Sequence, residues 1–305
     1  MQVYLPIAEV SVSVLLLLGL GGVVGILSGI FGVGGGFLIT PLLFFLGIPP
    51  SVAVATGANQ VVASSVSGVL AQIRRKGVDF RMGSVLLVGG LAGSAFGVWV
   101  FNVLSRRGQI DFAVQLSYVV LLGFVGVLML QEGLRALHRS RTNPNAVVRR
   151  QHTWVHRWPV KVKFRASGLY ISVIPPVLVG FGVGVMSAIM GVGGGFIMVP
   201  AMIYILGMPG KVVIGTSLFQ IIFVAAFSTF MHALTNQSVD LVLAVVLILG
   251  GVIGAQIGTR LGARLRAEQM RILLALLVIA VAAKIALDLV LTPSELYSLS
   301  GEHGR

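Results

Sequence analysis

The sequence predicts an all-α polytopic membrane protein made of two five-segment inverted repeats, with short, broken helices at two glycine motifs. Three observations carry that prediction. Apolar residues fall in long uncharged runs, three sequence blocks recur in the same order in both halves, and GVGGGF occurs once in each half.

Of the 305 residues, 56% are hydrophobic and only 10% charged, and the mean hydropathy is +1.00. A soluble domain carries about 25% charged residues. No charge interrupts the 64 residues between Glu9 and Arg74, or the 45 residues of 166–210. One helical span takes about 20 apolar residues, so the first run must hold several. The net charge of +13 does not indicate nucleic acid, because Lys and Arg lie between apolar segments, where membrane topology accounts for them. The expected partner is the lipid bilayer. Cysteine is absent, which excludes disulfides, thiolate metal sites and a Cys nucleophile. There is no phosphate-binding loop, no metal-spaced cluster and no complete dinucleotide motif. The expectation is therefore a protein that is not an enzyme and that uses no cofactor or metal.

Ten hydrophobic elements follow in order. Residues 6–31 read as a retained span, since a signal peptide needs a basic n-region and the first basic residue is Arg74. Residues 37–47 form a short element between the glycine motif and Pro49-Pro50. Residues 52–73 end at Arg74-Arg75-Lys76, and residues 82–104 and 112–134 are separated by Arg106-Arg107-Gly108. In the second half the elements are 169–190, the short 196–207, then 212–234, 241–261 and 270–291. The organisation is a first membrane repeat (1–134), a basic linker (135–168), a second repeat (169–291) and a polar tail (292–305).

The halves are duplicates. FGVGGGFLITP from Phe31 matches MGVGGGFIMVP from Met190 at an offset of 159. LGIPPSVAVATGANQ from Leu46 matches LGMPGKVVIGTSLFQ from Leu206 at 160. VDFRMGSVLLVGGLAG from Val78 matches VDLVLAVVLILGGVIG from Val239 at 161. Five crossings per half would invert the second copy; four would not. With the central loop in the cytoplasm, five crossings place 18 Lys and Arg inside and 2 outside, whereas four divide them 13 to 7. The positive-inside rule favours the inverted arrangement, with both termini periplasmic. Inverted repeats of this kind build secondary transporters, with the solute site at the midplane between repeats.

The two short elements explain what the glycines do. At 1.5 Å per residue, each reaches about half of a ~30 Å hydrocarbon core. Gly32, Gly34, Gly35 and Gly36, and Gly191, Gly193, Gly194 and Gly195, are thereby expected at membrane depth. Broken backbone survives there only when buried or lining a watery cavity. A helix beginning at Phe37 or Phe196 would aim its positive end and free N–H groups at that cavity, which favours an anion. The competing role is close helix packing, which most of the 40 glycines must serve, Gly89, Gly90, Gly93 and Gly97 or Gly250, Gly251, Gly254 and Gly258 among them.

Polar residues follow each break. Asn59, Gln60 and Gln220 are candidate ligands, with Thr56, Thr216 and Ser217 a turn earlier; amides donate two N–H groups without a fixed charge. The other use of such side chains is hydrogen bonding between helices. Gln60 and Gln220 occupy the same position in both repeats. Asp79 and Asp240, also equivalent, are expected to cap helices, and Lys284 and Asp288 to form an i, i+4 ion pair.

GVGGGF-x-x-x-P in two copies, TGANQ and GTSLFQ after the next turn, and HRWPVKVKFRASGLYISVIPP (His156 to Pro176) together resemble the TauE/SafE-type sulfite exporter family over nearly the whole chain. The resemblance implies a bacterial inner-membrane carrier for sulfite or an organosulfonate, acting as a secondary transporter by alternating access. A small oxyanion is then the expected substrate, and a homo-oligomer is compatible with the sequence. With almost no carboxylate in the spans, export driven by the membrane potential is favoured over proton coupling. An anion channel or a membrane scaffold are the alternatives; a scaffold would leave the duplicated breaks idle.

Overall fold

A computed structural model describes residues 2–31, 34–142, 161–164, 166–236, 238–262 and 267–291. Each half opens with a two-stranded antiparallel hairpin followed by five helices. In the first half these are β1 (Gln2–Leu5), β2 (Val10–Ser13), α1 (Val14–Phe31), α2 (Gly36–Phe44), α3 (Pro50–Arg74), α4 (Phe80–Arg106) and α5 (Ile110–Thr142). In the second they are β3 (Lys161–Phe164), β4 (Leu169–Ser172), α6 (Ile174–Met190), α7 (Gly195–Tyr204), α8 (Gly210–Asn236), α9 (Leu241–Gly262) and α10 (Ala267–Val290). Among the described residues, six helices are long and apolar enough to cross a membrane: α1, α4, α5, α8, α9 and α10.

The hairpins correct the sequence-based expectation, which ran the first and sixth helical elements through residues 6–13 and 169–173. Val10-Ser11-Val12-Ser13 and Leu169-Tyr170-Ile171-Ser172 alternate apolar and polar, the strand period. Gln2 pairs with Ser13 and Lys161 with Ser172 at the same position of the two hairpins. Leu5 and Phe164 anchor them, both 0% exposed. The linker also shrinks: α5 continues through Thr142 and the second hairpin begins at Lys161. Residues 143–160, including Trp154 and Trp158, and the tail from 292 lie outside the described residues.

One buried carboxylate fastens each hairpin to the opposite half. Asp79 caps α4, accepting from Met82 N at 3.1 Å, and its second oxygen accepts from Ser167 N (2.9 Å) and Ser167 Oγ (2.6 Å) in the β3–β4 turn. Asp240 caps α9 through Leu243 N (3.0 Å) and accepts from Ile7 N (3.1 Å) in the β1–β2 turn. The Asp79 amide donates to Thr216 Oγ1 at 2.9 Å and the Asp240 amide to Thr56 Oγ1 at 3.0 Å. The network is thus crossed and duplicated.

Helix packing exchanges partners between the halves in the same way. α1 lies along α9, and its equivalent α6 lies along α4; α3 meets α9 and α8 meets α4. Equivalent helices also pair directly, α3 with α8 and α5 with α10. Gly126 rests on Val278 and Ile279 while Gly133 rests on Ile272, so α5 and α10 run in opposite directions. Gly68 rests on Leu218, while Val61 and Ile221 flank the same two break glycines, so α3 and α8 do likewise. Lys284 and Asp288 form the expected pair at 3.2 Å on α10, and Lys284 lies 4.1 Å above the Phe45 ring at the end of α2.

Candidate functional site

Both helix breaks fall in the protein interior: residues 34–37 and 191–196 are all buried. Gly34, Gly35, Gly193 and Gly194 have φ of +80°, +73°, +70° and +77°, and Gly191 ends α6 at +69°. Only glycine adopts such angles freely, so the motif is a conformational requirement in both halves. α2 and α7 then start without a side-chain cap. The Gly35 carbonyl takes Leu38 N and Ile39 N, and the Gly194 carbonyl takes Ile197 N and Met198 N. Gly32 lies outside the described residues.

The sequence led to two facing cradles around a watery cavity. The breaks do face each other, but here they touch. Phe37 stacks on Phe196 with ring centroids 5.1 Å apart. A Cβ on Gly36 would stand 2.4 Å from the Val192 carbonyl oxygen, and Gly34 and Gly193 both border Val61 and Ile221. Close approach therefore accounts for Gly36, and backbone conformation for its neighbours.

The polar candidates divide into two sets. Gln60 and Gln220 are 0% exposed, and neither the amide nitrogen nor the oxygen of either has a hydrogen-bond partner among the described residues. Each amide sits over a glycine of the opposite half. A Cβ on Gly251 would come 2.6 Å from Gln60 Nε2, and one on Gly90 2.5 Å from Gln220 Nε2. Those two glycines thus make room for the amides as well as for helix crossings. Gln60 shares a face of α3 with Ser64, four residues on, and Ser64 Oγ donates to the Gly34 carbonyl at 3.1 Å. The hydroxyls of Thr56 and Thr216 are occupied by the Asp240 and Asp79 amides, and Ser217 Oγ donates to Ile214 O at 2.9 Å. Asn59 is half-buried and makes no hydrogen bond among the described residues; Phe219 holds its place in the other half.

Further polar groups lie at the breaks. Ser28 and Ser187, equivalent at an offset of 159, are buried beside the N-cap glycines Gly35 and Gly194. Ser65, 0% exposed and unpartnered, borders Gly34. Tyr118 Oη donates to Met190 O at 2.7 Å, and His232 Nε2 lies 2.9 Å from Ala188 O, so α5 and α8 both hold the last turn of α6. Repeat equivalence was the available signal for Ser28 and Ser187. Ser65 has Ala225 at the matching position, so repeat equivalence gave no signal for it.

The arrangement is thus a neutral, fully buried pair of hinges with two free amides, placed within a bundle of membrane-length helices. Comparison with known proteins supplies the deciding observation: the model of the family described as Sulfite exporter TauE/SafE matches residues 17–285. The chain belongs to the TauE/SafE family. The match takes in both hinges, both glutamines and all but the ends of the helical bundle. Similar TauE/SafE relatives include the probable membrane transporter protein YunE of Bacillus subtilis, 27% identical over 254 residues covering 78% of this chain and 84% of that one. A probable membrane transporter protein of Xylella fastidiosa is 30% identical over 241 residues, covering 78% and 81%. Sulfite exporter TauE/SafE family protein 6 of Arabidopsis thaliana is 54% identical over 46 residues, 15% of this chain. No solved structure gives a significant match. The chain is accordingly a multi-pass TauE/SafE membrane transporter.

Proposed function

We propose that this transporter exports a small oxyanion, sulfite or a short organosulfonate, from the cytoplasm by alternating access at the paired hinges. The observation that carries the proposal is the pair of fully buried, unpartnered amides, Gln60 and Gln220, at matching positions of both halves. Leaving a buried amide unsatisfied costs about 1–3 kcal/mol, and natural proteins rarely do so twice by symmetry. Each amide offers two N–H donors with no formal charge, which can hold an oxyanion and still release it.

The antiparallel meeting of α3 with α8 and of α5 with α10 supports an inverted relation between the repeats. It also groups the polar turns. Gly77 lies beside Lys211, and Asp79 holds the β3–β4 turn, so the basic stretches gather at one face, which we assign to the cytoplasm. The β1–β2 turn, held by Asp240, then belongs to the periplasmic face of an inner membrane. Passage requires the Phe37–Phe196 stack and the Gly36–Val192 contact to part on one side at a time. Export of one negative charge from an inside-negative cell is favoured by about 2.3 kcal/mol per 100 mV, so no coupling proton is needed.

The test is a flux screen of small oxyanions with purified protein in liposomes. Saturable efflux of sulfite or a sulfonate is the expected result. Flux of none of these anions, or non-saturable flux of all of them, contradicts the proposal.

A further inference from the structure

Building on that transport function, we propose that the junction of α4, α6 and α8 is a hydroxyl-lined passage that conducts the oxyanion between Gln220 and the membrane face where α4 and α8 end. The three helices run side by side in the same direction. Gly83 of α4 meets Thr216 and Phe219 of α8, Gly90 meets Gln220 and Val224, and Phe101 stands edge-on to His232 at 4.6 Å. On the α6 side, Gly180 meets Leu86 and Gly90, Gly184 meets the Ser94 backbone, and Gly97 meets Val185 and Ala188.

Three buried serines lie on the three helices of this junction. Ser94 follows Gly90 by one turn on α4. Ser187 follows Gly184 by one turn on α6 and borders Gly194 at the second hinge. Ser228 lies two turns beyond Gln220 and one turn before His232, whose ring reaches Ala188 O. Their exposures are 0%, 1% and 1%, and none of the three hydroxyls has a hydrogen-bond partner among the described residues. Beyond them, Asn102 Oδ1 is also unpartnered, near the end of α4.

A helical hydroxyl has an easy alternative, which is to donate to the carbonyl four residues back. Ser84, Ser117 and Thr235 do this at 2.8, 2.7 and 2.7 Å. Ser94, Ser187 and Ser228 do not, although they are more deeply buried and lose more by it. Donors kept free in a row, leading away from a free amide, suit an acceptor that comes and goes. A small oxyanion with its residual water is such an acceptor, and neutral hydroxyls pass it on without trapping it. The passage is not duplicated: the equivalents of Ser94 and Ser228 are Ala255 and Gly68, and only Ser28 matches Ser187. On the Gln60 side the hydroxyls are Ser64 and Ser65 of α3 instead.

The chain has no cysteine, so single substitutions Ser94→Cys, Ser187→Cys and Ser228→Cys report directly in the full-length protein. In liposomes, a membrane-impermeant methanethiosulfonate should label all three from one face only, and methanesulfonate should slow the labelling. Leu122→Cys and Leu247→Cys, buried on α5 and α9, are the controls. Replacing all three serines by alanine should cut methanesulfonate flux by about tenfold or more, as expected for hydrogen bonds lost to a charged solute. Labelling no faster than at the controls, or undiminished flux in the triple variant, overturns the passage. One-sided labelling that no sulfonate slows keeps a passage but overturns the oxyanion, separately from any failure of the flux screen.

Discussion

Gln60 and Gln220 are where structure and transport trade against each other. Each amide is buried without a partner, so removing its polarity while keeping its length relieves a penalty. Gln60→Met and Gln220→Met should each raise the thermal stability of the purified protein, by about 1–3 kcal/mol, while flux falls; lower melting temperatures would mean the amides are satisfied after all. Gly36→Ala acts oppositely, because its Cβ would meet the Val192 carbonyl at 2.4 Å. Overpacking of this kind costs about 1–3 kcal/mol, so poor folding yield or a lowered melting temperature is expected, and wild-type stability would show that the breaks do not touch. At this scale repeat equivalence singles out the glutamines as candidates, whereas nothing in the local sequence says that an aspartate amide 137 or 184 residues away donates to the hydroxyl of Thr216 or Thr56.

At the scale of elements, the hairpins and their aspartate latches are the least expected feature. Asp79 accepts from Met82, from the Ser167 amide and from the Ser167 hydroxyl. Asp79→Ala should therefore destabilise by about 3 kcal/mol and Ser167→Ala by about 1 kcal/mol, with the double variant less affected than the sum. Additive losses in thermal unfolding would show that the hairpin is not held by that carboxylate. The long helices were legible from uncharged length alone, and the short α2 and α7 from glycine on one side and Pro49 or Pro209 on the other. The hairpins were not, because a four-residue strand beside an apolar helix leaves only one alternation of period two to read, and helix periodicity swamps it.

For the whole molecule, the crossed contacts make the two halves one unit. α1 packs along α9 and α6 along α4, so an opening at the hinges is expected to shift helices of both repeats together. The duplication is legible in the sequence as two equivalent halves, but which helices exchange partners between them is not. Orientation is testable in the cysteine-free chain. Thiols placed at Lys76 and Lys211 should be labelled from the cytoplasmic side and one at Arg107 from the opposite side; labelling of all three from one side would reverse the assignment of faces. An imposed inside-negative potential should accelerate oxyanion efflux, while a pH gradient alone should not.

The two free amides are tested most directly by sulfite and methanesulfonate efflux from liposomes holding the wild-type protein, each single Gln→Met variant or the double variant, under one imposed potential. Each single change should slow efflux and the double variant should fall to the rate of protein-free liposomes, although it folds at least as stably. Efflux from the double variant at the wild-type rate would contradict the account.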